Sequence, residues 1–158
     1  MRQQHKPTTL PLGTISSGTL RLEDLIPALA SALADLRLTR TERKIVNEAL
    51  AYDFEQEPTD GDLDRTEQDD LYDELTRIAE AHCPDYTYFG SLEGDGAEIG
   101  VWPSVGEFDM GLPTKVYDTA DLADIPSNQS HALHVNDHGN TTLYRRAGRR
   151  WIEVWAVV

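Results

Sequence analysis

Four residues suited to metal-assisted chemistry fall between positions 131 and 138: His131, His134, Asp137 and His138. Imidazole nitrogens and carboxylate oxygens are zinc donors, and a small metal-dependent enzyme would centre on such a group. If a strand begins at His131, however, side chains alternate and His131 points to the face opposite His134. Convergence on one ion then needs Asp137 and His138 from the turn that follows. The simpler expectation is a polar hairpin at Asn136-Asp137-His138-Gly139-Asn140. There Asp and Asn bond their own backbone, and Gly139 supplies a positive φ. No metal ligand and no cofactor are assigned on this pattern.

A second group is far more acidic. Asp53 to Glu74 holds eleven carboxylates and one base, Arg65, and so carries −10 of the chain's −14. Asp60, Asp62 and Asp64 occupy the first, third and fifth ligand positions of an EF-hand loop. Arg65 stands where the loop needs its turn glycine, and Leu71 where it needs a bidentate Glu. Calcium is not expected there. Carboxylates spaced along a helix and its leading loop can instead imitate a nucleic-acid backbone and enter the basic groove of a protein that binds one. Asp60, Asp62, Asp64, Glu67, Asp69, Asp70, Asp73 and Glu74 are the candidate contacts. The bland alternative is a solvated charged face.

Nucleophilic chemistry finds little support. Cys83 adjoins His82, but neighbours at a helix end do not face each other. Gly90, Gly94 and Gly96 lack the Lys-Ser/Thr of a phosphate loop, and no Gly-x-Ser-x-Gly is present. No catalytic residue is assigned. Arg145, Arg146, Arg149 and Arg150 form a compact basic turn that could grip an anion or simply be solvated. Trp151 and Trp155 are expected on one face of the last strand with Glu153, opposite an apolar face of Ile152, Val154, Ala156 and Val158. The tryptophan face is read either as core under the helices or as a partner-binding anchor.

Composition limits the function classes. Of 158 residues, 28 are acidic and 14 basic, so direct nucleic-acid binding through a broad basic face is not expected. Charge interrupts every apolar stretch before it could span a membrane. Residues 1–18 have no apolar core of a secretory signal, and the lone Cys83 fits a reducing compartment, so a cytoplasmic location is expected.

These residues need elements to hold them. Residues 1–20, punctuated by Pro7, Pro11, Gly13 and Gly18, read as a flexible arm, and 21–158 as one domain with a helical part at 22–83 and a sheet part at 84–158. Leu25, Ile26, Leu29, Leu33 and Leu36 predict a first helix over 24–36, with Pro27 tolerated in its first turn. Thr39-Arg40-Thr41-Glu42 predicts a capping box opening a second helix to about Phe54, with Ile45, Val46, Ala49 and Leu50 inward. Asp64-Arg65-Thr66-Glu67 predicts another, opening a third helix to about His82 with Leu71, Leu75 and Ile78 inward. Strands are expected at 86–92, 97–102, 115–117, 131–135, 141–144 and 151–158, with a hairpin turn at Glu93-Gly94-Asp95-Gly96. Helices first and strands afterwards predict an α+β fold, with three N-terminal helices on one face of an antiparallel sheet of about five strands.

Three segments also carry a likeness in common: Ser17-Gly18-Thr19-Leu20-Arg21 with Glu23-Asp24-Leu25-Ile26-Pro27, Glu93-Gly94-Asp95-Gly96-Ala97, and Val135-Asn136-Asp137-His138-Gly139-Asn140. Through their order the chain resembles small uncharacterised proteins of phages, plasmids and other mobile elements. That resemblance transfers no catalytic residue. It implies a host-interaction role, including inhibition of restriction or CRISPR systems. The expected function is therefore an acidic, non-enzymatic protein that engages a basic host protein or nucleic-acid-guided complex.

Overall fold

The computed structural model describes residues 6–54, 61–104 and 113–158, with the backbone alone for 61–65. The architecture is α+β, with three α-helices and two sheets of three and four strands among the described residues. Its contacts divide the chain into two compact units, Met1–Pro103 and Ser104–Val158. The three α-helices end by Ala81 and all strands but one begin at Thr87 or later, so the switch from helix to strand falls near residue 84 as expected. The strands form two sheets, not a single one of about five. No helix among the described residues is long and apolar enough to cross a membrane.

In the first unit β1 (Gly13–Ser16) precedes α1 (Leu22–Ala34), α2 (Arg40–Ala51), α3 (Gly61–Ala81), β2 (Thr87–Leu92) and β3 (Asp95–Pro103). The strand order is β1-β3-β2, antiparallel throughout. β1 lies within residues 1–20, and Leu10 just before it is 1% exposed, so this stretch of the expected arm contributes one strand to the sheet and one side chain to the core. Gly100 makes this pairing possible: a Cβ there would overlap the Gly13 carbonyl and lie 2.9 Å from Trp102 Cζ2. Leu25, Ile26, Leu29 and Leu33 of α1 and Leu71, Leu75 and Ile78 of α3 share one apolar cluster with Phe89, Ile99 and Val101. Each such side chain taken fully from water contributes about 1.5–3 kcal/mol before entropy is counted.

Helix ends show where local chemistry decides. Thr39 and Glu42 form the expected capping box, with Thr39 N donating to Glu42 Oε2 at 2.7 Å. α2 stops at Ala51, short of Phe54, and Leu50 is 46% exposed, not inward. α1 starts two residues early because Asp24 N and Leu25 N both reach Arg21 O at 3.0 Å. Pro27 therefore lies beyond the first turn, where its ring removes a backbone hydrogen bond that the buried leucines must offset. α3 begins at Gly61, so Asp64 is helix interior, not a cap. Carboxylates early in a helix suit its dipole, which favours the longer start.

The second unit holds β4 (Thr114–Val116), a 3-10 turn (Thr119–Ala123), β5 (His131–Val135), β6 (Thr141–Ala147) and β7 (Arg150–Val157). Their order is β4-β5-β6-β7, and β4 runs parallel to β5, departing from an all-antiparallel sheet. The crossover through the 3-10 turn brings Leu122 and Ile125 onto Val116 and Ala132, beside Tyr144 and Trp151.

β7 carries a bulge that reverses the expected faces. Glu153 pairs with Tyr144 but Trp155 pairs with Leu143, leaving Val154 as the extra residue. Side chains beyond it change sides, so Trp155 faces away from Trp151. Trp155 is 5% exposed, in a buried row with Leu143 and Leu133. Ile152 is 49% exposed and Val158 is 99% exposed, so the run expected as the apolar core face is largely solvated.

Candidate functional site

α3 places the acidic residues. Leu71, Leu75, Ile78 and Ala79 turn inward, which sends Asp69, Asp70, Asp73 and Glu80 to the opposite, exposed side. Glu67 is exposed at the flank and Glu74 is half-buried. None of these carboxylates forms an ion pair among the described residues. From Asp69 to Glu80 the helix rises about 16 Å, so four carboxylates line that length, interrupted by Arg77. One strand of a duplex carries a phosphate about every 3.4 Å of axis, or about five over the same span. Asp60, and the side chains of Asp62 and Asp64, lie outside the described residues.

The histidine hairpin forms as a turn. Asn136 Oδ1 accepts from His138 N at 2.9 Å and from Asn140 N at 3.0 Å, and Gly139 adopts φ +83°. His131 and His134 are three residues apart on β5 and so point to opposite faces of the sheet, and Asp137 and His138 are exposed in the turn. Among the described residues no three His, Cys, Asp or Glu side chains are placed to hold a metal ion. The arrangement therefore lends no geometric support to a metal-dependent enzyme.

Cys83 and His82 are separately engaged. Burial pushes the Cys83 thiol up, partly offset by Thr87, which disfavours the nucleophilic thiolate. His82 points Nδ1 at Thr8 O, 2.7 Å away, and Nε2 at Glu42 Oε1, 3.2 Å away.

No family model matches the chain, and no match was found among curated proteins or solved structures.

The basic turn and the tryptophans have divided roles. Arg146 donates from Nε to Gln129 O at 3.0 Å and from Nη2 to Ile125 O at 2.8 Å and Pro126 O at 3.3 Å. Its guanidinium lies 4.2 Å from the centre of the Trp151 ring, and Trp151 Nε1 donates to Leu122 O at 2.8 Å. These two residues pin the 3-10 turn and the loop after it onto β6 and β7. Arg145, Arg149 and Arg150 are exposed. Trp155, being buried, presents no ring for a partner, and Trp151 is half-buried under Arg146. Neither role was legible from spacing, although the Arg146–Trp151 register pair follows directly once the β6–β7 turn at Gly148 is fixed.

Proposed function

We propose that this chain is a non-enzymatic binding protein whose α3 carboxylates dock into the basic, phosphate-binding surface of another protein. The supporting observation is the Asp69, Asp70, Asp73 and Glu80 stripe, exposed along about three turns and without ion pairs among the described residues. A solvated face needs only scattered charge. Four exposed carboxylates against one arginine over about 16 Å also offer a partner's cationic groove a counter-surface. The fitting partner is a basic host protein or nucleic-acid-guided complex, and on a mobile element such a protein would be an anti-defence inhibitor of the anti-CRISPR or anti-restriction kind.

The test is affinity capture from host lysate, with competition by a 20-base-pair DNA duplex or a 20-nucleotide RNA. The triple change Asp69→Asn, Asp70→Asn, Asp73→Asn is expected to abolish capture, whereas neutralising exposed Glu93, Asp137 and Glu153 leaves it. Captured protein should be released by the competitor and by raised salt, because exposed charges are screened beyond about 8–10 Å. Equal loss in both triples, or capture indifferent to competitor, refutes the reading.

A further inference from the structure

The sheet of the first unit has an outer face that the core does not use. Phe89, Ile99 and Val101 belong to the apolar cluster with the helices, so alternation sends Tyr88, Gly90, Glu98, Gly100 and Trp102 to the opposite side. On that face Tyr88 pairs with Trp102, and Gly90 pairs with Gly100. Both rings lie along the sheet instead of standing off it, because the sheet's own carbonyls hold their polar ends. Tyr88 OH donates to Ser91 O at 3.1 Å, and Trp102 Nε1 crosses the strands to donate to Gly90 O at 3.0 Å. Bare backbone lies beneath them. Tyr88 Cδ2 is 3.6 Å from where a Gly90 Cβ would stand, and Trp102 Cζ2 is 2.9 Å from that of Gly100. Tyr88 remains 36% exposed. Both rings lean toward Glu98, which follows on the same face of β3 about 7 Å beyond Gly100. Its carboxylate accepts from the Thr14 hydroxyl and forms no ion pair among the described residues.

Electrostatics select the ligand. The faces of aromatic rings are electron-rich and attract cations. Residues 78–103 contain Glu80, Asp85, Glu93, Asp95 and Glu98 but no Lys or Arg, and β1 carries no charge. A stacked nucleotide would bring its phosphate to this face with no cation to receive it. A trimethylammonium group is held by aromatic walls on several sides, whereas rings laid along a sheet supply only a floor. A guanidinium is planar. It stacks on such a floor and turns its N–H edge to a carboxylate beside it. The second unit uses the same pairing internally, with Arg146 4.2 Å from the centre of the Trp151 ring.

We propose that Tyr88, Trp102 and Glu98 form a docking site for an arginine side chain presented by a partner protein. The guanidinium stacks on the rings over the Gly90–Gly100 pair and points its N–H groups at Glu98. This site shares no residue with the α3 carboxylates and does not depend on them.

The test is a titration of the full chain with the peptide acetyl-Gly-Gly-Arg-Gly-Gly-amide, read from the Trp102 indole N–H and the Tyr88 ring resonances. Citrulline in place of arginine keeps the planar shape and removes the charge; lysine keeps the charge and removes the plane. Arginine should move both resonances saturably, citrulline should bind about tenfold more weakly, and lysine should fall between them. Glu98→Gln should lose about threefold, the worth of an exposed ion pair, while its amide oxygen still accepts from Thr14 and keeps β1 in place. Tyr88→Leu leaves the Trp102 probe intact and should also lose about threefold. The triple change Asp69→Asn, Asp70→Asn, Asp73→Asn should bind the peptide as the parent does, so failure at this face and failure at α3 are read separately. Resonances unmoved by arginine, citrulline binding as tightly as arginine, or loss of the shifts in the α3 triple overturns the proposal. So do shifts that follow protein dilution alone, which would assign the face to a second copy of the chain.

Discussion

Replacing Arg146 with Ala removes a guanidinium that serves two carbonyls at 2.8 and 3.0 Å, a third at 3.3 Å, and one face of Trp151 at 4.2 Å. A hydrogen bond to a charged group contributes about 1.5–3 kcal/mol net, but these carbonyls can turn to water once freed, so the two shorter bonds are taken at about 1 kcal/mol each. Stacking on a partly exposed Trp adds about 0.5–1 kcal/mol. The expected cost is about 3 kcal/mol, concentrated in the second unit. Urea unfolding should be followed by the indole N–H resonance of Trp151, whose bond to Leu122 O reports that unit alone. Arg146→Lys keeps the charge but not the planar fork, and should fall between Ala and the parent. A midpoint for Arg146→Ala within about 0.5 kcal/mol of the parent, the usual range for an indifferent surface change, would show that the loop after the 3-10 turn holds itself.

Three other substitutions follow from the sheets. Leu143→Asp places an unpaired charge in the buried row with Leu133 and Trp155 and should abolish folding of the second unit, whereas Val154→Asp, at the bulge, should cost about 1 kcal/mol or less; circular dichroism melts of the two variants check the order, and the reverse order would restore the simple alternating strand. Gly100→Ala should destabilise the first unit by more than 3 kcal/mol, because the new methyl meets the Gly13 backbone and not a flexible side-chain end; an unchanged denaturant midpoint would mean β1 is not held at this register.

The elements legible in the sequence were those whose chemistry is local. The Thr39–Glu42 box, the Glu93-Gly94 turn and the Asn136–Asn140 turn each carry their signal within five residues, and each is present. Leu71, Leu75 and Ile78 gave the inward side of α3 by period alone. What escaped depends on distant partners. β1 is four residues, Gly-Thr-Ile-Ser, with no alternation of its own, and exists because Val101 and Gly100 receive it from nearly ninety positions away. The bulge at Val154 is set by pairing with β6, so strict alternation along 151–158 puts Trp155 on the wrong face. The His82–Glu42 contact spans 40 positions, and the capping box accounts for only one of the two carboxylate oxygens.

Charge is also distributed differently from a molecule with an acidic helix and one basic turn as its poles. Residues 1–103 hold 21 acids and nine bases, a balance of −12, and residues 104–158 hold seven and five, a balance of −2. Of the arginine turn, Arg146 is consumed by the loop it pins. The larger group of exposed cations among the described residues is Arg37, Arg40, Arg43 and Lys44, at the link into α2 and its first turns, within the same unit as the α3 stripe. At physiological ionic strength a charge is felt over about 8 Å, so an approaching surface senses one helix and not the sum. Net charge is therefore a poor predictor of what this chain attracts. A variant that exchanges Asp70 and Arg77 keeps the total at −14 while altering the order of charge along α3. If α3 works as a phosphate-like array, that exchange alone should change the association rate with a captured partner; if only total charge matters, the rate should stay where it was.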